Sequence, residues 1–149
     1  GDTSLRVTTT TSVTTSATAG SGSTTSGHAT GTGTVTPTSG QTELLAATDV
    51  EGKERISIQI FNTGTSSSPN TQDAVYKVWG TLITTPGTAG GANWTQIGDD
   101  ITIEEASNAY KAIATTPIKS IGVTGRSIDW NSAGGTQAAT TTNIYLMAD

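Results

Sequence analysis

Arg55-Ile56-Ser57-Ile58-Gln59-Ile60-Phe61-Asn62-Thr63-Gly64 and, after a polar loop, Asp73-Ala74-Val75-Tyr76-Lys77-Val78-Trp79-Gly80-Thr81-Leu82-Ile83 decide the fold. Ile56, Ile58 and Ile60 alternate with Ser57 and Gln59, the period of a strand with one buried face. The second run is rich in Val, Tyr, Trp, Thr and Ile, which suit a pleated, half-buried surface. The connection Thr63 to Gln72 is too long for a two-residue hairpin and reads as an exposed loop. No other part of the chain is as dense in apolar residues, so the core of an antiparallel sandwich is placed here. The Ile56/Ile58/Ile60 face and Trp79 are expected to be buried.

Working outward, Leu44-Leu45-Ala46-Ala47 reads as the first core strand, and Asp49 to Glu54 as a charged turn. Pro86-Gly87 and Gly90-Gly91 mark a loop. Trp94 to Ile97 and Ile101 to Ile103 read as short strands around the turn Gly98-Asp99-Asp100. Glu104 to Ala114 fits an amphipathic helix through Ala109, Tyr110 and Ile113, and a strand through Tyr110, Ala112 and Ala114. The all-β context favours the strand. Ile118 to Trp130 is another strand segment, with Gly122 and Gly125 as bulge or turn positions. In the last strand, Ala138 to Met147, Ile144 and Leu146 share one face and Tyr145 and Met147 the other. About eight short strands separated by turn signals predict an all-β fold, an antiparallel β-sandwich of jelly-roll or Ig-like type.

The totals agree with one such domain. The chain has 149 residues, of which 32% are hydrophobic and 13% charged. Both shares are low, and Thr, Ser and Gly fill the deficit. Disorder normally brings high net charge as well. A sandwich whose solvent faces carry Thr and Ser is therefore the reading for residues 43–149.

Residues 1–42 form a separate block. Its only formal charges are Asp2 and Arg6, and Leu5, Val7, Val13 and Val35 are its only large aliphatic residues. It cannot build a core of its own. It reads as a low-complexity linker or as an extended N-terminal arm that orders by adding strands to a neighbour. In the second reading Leu5, Arg6, Val7 and Val13 are the partner contacts.

The net charge is −5, and the seven basic residues are scattered. Nucleic-acid binding needs a basic stripe, and anionic membrane surfaces need a basic patch; neither is visible. No apolar run approaches the ~20 residues that span a bilayer. There is no cysteine, so disulfides and thiolate zinc sites are excluded. No apolar leader precedes the block, and synthesis in the cytoplasm followed by assembly is the expectation.

No catalytic constellation stands out, so the chain is not read as an enzyme, and no cofactor or metal is expected. His28 is the single histidine and sits in a Gly-rich stretch, a poor place for a preorganised base, so it reads as a solvated loop residue. Asp99-Asp100 and Glu104-Glu105 lack the spacing and glycine of a calcium loop and read as charged turns. The Gly20 to Gly33 glycines lack the Lys-Ser/Thr pair of a phosphate loop. Asn93-Trp94-Thr95 matches the glycosylation sequon, a match that a Thr-rich chain produces by chance. Of Trp79, Trp94 and Trp130, Trp94 beside the Gly/Pro loop is the candidate for an exposed contact.

The segments Ile58 to Gly64, Ala74 to Gly80, Thr116 to Val123 and Thr142 to Leu146 together resemble small β-sandwich proteins of tailed-phage particles, above all capsid decoration (cement) proteins. The resemblance covers roughly residues 54–148 and is one of pattern and composition. It implies a virion protein on the capsid surface, made in the host cytoplasm, often a homotrimer, with extended arms that bind the major capsid protein or neighbouring subunits. The alternative is a carbohydrate-binding or adhesive module of a fibre or cell surface. A hydrolase ranks last.

Overall fold

In a computed structural model, the described residues are 27–36, 40–65, 72–113, 117–128 and 140–149. They form nine strands and no helix. In chain order these are β1 (His28–Val35), β2 (Thr42–Asp49), β3 (Ile56–Asn62), β4 (Ala74–Thr81), β5 (Thr95–Gln96), β6 (Ile101–Ile103), β7 (Ser107–Ile113), β8 (Ser120–Ser127) and β9 (Thr140–Ala148). One sheet has the order β1-β9-β3-β7 and the other β2-β8-β4-β5, with β6 also paired to β4. Every pairing is antiparallel. The two sheets pack face to face as a β-sandwich, as the strand patterns predict.

The isoleucine alternation sets the core. Ile56, Ile58 and Ile60 are buried on β3, beside Ile144 and Leu146 of β9. Leu44, Tyr76, Val78, Ile121 and Val123 answer them from the second sheet. Each such side chain removed from water contributes about 1.5–3 kcal/mol. On β9, Tyr145 and Met147 point outward, again as the period predicts. The Glu104 to Ala114 segment is strand β7 over Ser107–Ile113, turning in at Ala106 with φ 53°.

Four expectations change. The 1–42 block divides: residues 1–26 lie outside the described residues, but His28–Val35 is strand β1, fully paired to β9. His28, read as a loop residue, opens that strand opposite Met147. Trp79 is not core. It shares the outer face of β4 with Lys77, stays half-buried, and donates its Nε1–H to Thr124 Oγ1 at 2.8 Å.

Trp94, the expected exposed contact, is only 6% exposed. The loop from residue 82 to 94 folds back over the outer face of the second sheet. Its Ala89 backbone N–H meets Glu43 Oε2 at 2.5 Å, and Trp94 Nε1–H donates to the Gly87 carbonyl. Gly122 on β8 makes this seat possible: a Cβ there would lie 2.5 Å from the Ala89 Cβ, and the Trp94 ring is already close. Trp130 lies outside the described residues.

The topology gives the sandwich two distinct ends. At one, here the base, the chain enters at Gly27, whose carbonyl accepts the Ala148 N–H at 2.8 Å. The β2–β3 connection, the start of the 82–94 loop, residues 117–119 and Asp149 share this end. At the other end lie the β3–β4 and β6–β7 connections.

Candidate binding surfaces

Two surfaces stand out, and neither is built on the residues singled out from sequence. Leu5, Arg6, Val7 and Val13 lie outside the described residues, and Trp94 is covered by its own loop.

The first surface is the outward face of the β1-β9-β3-β7 sheet. Register aligns its side chains in rows across the strands. One row is Thr30–Tyr145–Gln59–Tyr110 and the next is Thr32–Asn143–Phe61–Asn108. A third runs His28–Met147–Ser57–Ala112. No Lys, Arg, Asp or Glu stands in these rows. The exposed ion pair between Arg55 and Asp149, 2.5 Å apart, borders the face at the base. Tyr110 is 66% exposed, Met147 54% and Tyr145 48%.

The face is organised by its own hydrogen bonds. Thr32 Oγ1 lies 2.9 Å from Asn143 Oδ1 and 3.1 Å from the Thr142 carbonyl. Gln59 Nε2–H donates to Asn108 Oδ1 at 3.0 Å. Ser57 Oγ and the Tyr110 hydroxyl are 2.9 Å apart. Phe61 meets Tyr145 edge to face at 5.6 Å between ring centres, a favourable aromatic geometry. Two shallow hollows flank the Asn143–Tyr145 pair. One, of about 360 Å³, adds Gln59, Phe61 and Thr63; the other, of about 320 Å³, adds Thr30, Gly31 and Thr32.

The second surface is the base. Leu82, 75% exposed, and Ile83 stand at the start of the 82–94 loop. With Ile97, Ile113, Pro117 and Ile118 they line an apolar hollow of about 380 Å³. A broader cleft of about 910 Å³ adjoins it, sharing Leu82, Pro117 and Ile118 and extending to the β2–β3 turn at Glu51 to Glu54. Lys119 anchors that turn, bonding Asp49 at 2.9 Å and Glu51 at 2.8 Å. These carboxylates raise the Lys119 ammonium pKa, the Glu51 bond first. Burial works against ionised Asp49, but the Lys119 bond and the Glu51 N–H hold its pKa below the usual value.

The paired carboxylates serve turns. Asp100 accepts a hydrogen bond from Gln96 at 2.7 Å, which lowers its pKa, and pairs with Lys77 at 3.2 Å. Glu105 Oε2 accepts the Gln72 N–H at 3.0 Å, tying the β6–β7 turn to the start of β4. Among the described residues no three His, Asp or Glu side chains gather into a metal-binding group. No helix of the described residues is long and apolar enough to cross a membrane.

The sequon residue Asn93 is exposed, with its amide N–H 3.3 Å from the Pro86 carbonyl. The Asn62-Thr63-Gly64 motif has a structural use. Asn62 is 1% exposed and fully bonded: its Nδ2 donates to the Gln72 and Ile103 carbonyls, and its Oδ1 accepts from Gly64 N–H and Thr140 Oγ1.

No family model matches the chain, and no curated protein sequence matches it.

Proposed function

We propose that this protein is a structural component of a virus particle, a decoration module that sits on a capsid shell through its base. The observation that carries the reading is a coincidence of place. Residues 1–26 join the sandwich at Gly27, at the same end that displays Leu82, Ile83, Pro117 and Ile118. Arm and apolar patch would therefore engage one partner together. An apolar centre rimmed by polar and charged groups has the composition of a protein interface.

The arm supplies few charged or large apolar side chains, so its main bonding capacity is backbone N–H and C=O. Strand addition to a shell subunit or a neighbouring copy uses those groups. We read the strand order as that of a jelly roll, an architecture found in viral capsid domains. Architecture alone does not assign a function, and the reading also rests on the family resemblance. A homotrimer on the shell is part of the proposal.

The test uses undecorated shells assembled from the accompanying major capsid protein. The full chain should co-sediment with them, and chains lacking residues 1–26 or carrying Leu82→Asp should not, while remaining folded by circular dichroism. Co-sedimentation unchanged by both alterations would sink the reading. Light scattering that finds only monomers, free and on shells, would remove the trimer.

A further inference from the structure

We propose that the outward face of the β1-β9-β3-β7 sheet binds a neutral oligosaccharide, with Tyr145 as the stacking ring and Asn143 and Gln59 as the polar contacts. The site is separate from the base and does not depend on the shell reading.

A sugar ring offers two kinds of surface. Its C–H faces pack on an aromatic ring, and its hydroxyls each donate and accept a hydrogen bond. The face meets both needs within a few residues. Tyr145 is half exposed and is buttressed by the edge-to-face contact with Phe61, so its ring is held rather than free to swing. The amides on either side are oriented as well. Asn143 has its Oδ1 engaged by Thr32, which turns its two N–H donors the other way along the amide. Gln59 spends its Nε2 on Asn108, which leaves its Oε1 as an acceptor. A fixed donor and a fixed acceptor beside one ring suit adjacent hydroxyls of a pyranose. Preorganised groups of this kind lose little freedom on binding.

The extent and charge of the surface narrow the ligand. Tyr145 and Tyr110 stand in one row on either side of Gln59. Two strand spacings place their backbones about 10 Å apart, a span suited to a short oligosaccharide rather than a single sugar. The hollows on both sides of Tyr145 extend the contact along the sheet. The rows carry no Lys or Arg to receive a carboxylate or sulfate, and the chain's net charge of −5 repels anions. Sialylated and uronic-acid glycans are therefore disfavoured. The large residues here are Tyr, Phe and Met, and none of them needs an opposite charge.

The test is a glycan array probed with the full chain. It carries glucose, galactose, mannose and N-acetylglucosamine trisaccharides beside sialylated and uronic counterparts, and hits are measured by titration calorimetry. At least one neutral saccharide should bind, with an affinity that high salt leaves unchanged. Tyr145→Ala should weaken it about tenfold or more, the loss of a central aromatic anchor. Tyr145→Phe, which keeps the ring, should stay within a few-fold, and Asn143→Ala should also weaken binding. Both positions face solvent or the hollows, so melting temperatures should barely move. Leu82→Asp should bind saccharide like the unaltered chain, which separates failure of this site from failure of the base. No binding at millimolar saccharide, preference for acidic glycans, or a Tyr145→Ala protein that binds normally would each overturn the proposal. So would a Tyr145→Ala change that dissolves an oligomer while no saccharide binds, because the face would then be covered by a second copy.

Discussion

The hydroxyls of Tyr76 on β4 and Thr142 on β9 lie 2.6 Å apart in the middle of the sandwich, and both residues are fully buried. They form a polar link between the two sheets, beside that of Asn62, in a core made mostly of apolar side chains. Removing one partner leaves the other buried and unsatisfied, so Tyr76→Phe should cost about 1–3 kcal/mol. Adding Thr142→Val should recover part of that loss, which a double-mutant cycle in urea would measure.

The same pair makes stability sensitive to alkali. Burial pushes the Tyr76 phenol up to about 12, although the Thr142 hydrogen bond pulls the other way. Unfolded tyrosine ionises near pH 10. Above that pH the unfolded chain has released a proton that the folded chain still holds. The contribution of Tyr76 is complete below about pH 10 and is lost as pH rises toward 12, by up to about 3 kcal/mol. Unfolding midpoints across that window should fall for the unaltered chain and fall less for Tyr76→Phe; parallel curves would contradict the assignment.

Asn62 holds β3, β6, β9 and the approach to β4 with one side chain. Asn62→Asp keeps the shape but loses both N–H donors and buries a charge. The expected loss is about 3 kcal/mol or more. Thermal melts should show it, and an unchanged midpoint would mean that the network is dispensable.

The fold was legible where the chain alternates strongly. Ile56/Ile58/Ile60 and Ile144/Leu146 mark their buried faces without help from neighbours. β1 was not legible, because its inward positions include Gly31, packed so close to the Leu44 carbonyl that a Cβ would have no room. Its strand character comes from β9 rather than from an apolar period of its own. Trp94 looked exposed because its cover depends on Gly122, far along the chain. On the outward face of the first sheet, alternation marked Gln59 and Tyr145 as solvent-facing, but Tyr145, Gln59 and Tyr110 become neighbours only through the register of three strands.

Trp94 is therefore expected to matter for stability and not for ligand contact. Trp94→Ala should cost about 3 kcal/mol, since it empties the seat over Gly122. Saccharide affinity should stay the same. A stable Trp94→Ala protein with reduced binding would reverse that assignment.

Ala106 holds a φ of 53° in the turn before β7, a left-handed conformation that costs a non-glycine residue about 1 kcal/mol. Ala106→Gly should raise stability by somewhat less, because glycine also loosens the unfolded chain. A small upward shift of the urea midpoint with an unchanged slope is the expected result.

The position of β9 also governs how the chain can come to fold. It is the last strand in sequence, yet it lies inside its sheet, with β1 on one side and β3 on the other. His28 waits for Met147, and Ile58 for Leu146. Until β9 has left the ribosome, two strands present bare backbone edges that invite pairing between nascent chains. Such distant pairings also make folding slow. A chaperone that shields those edges during synthesis should raise the yield of folded protein.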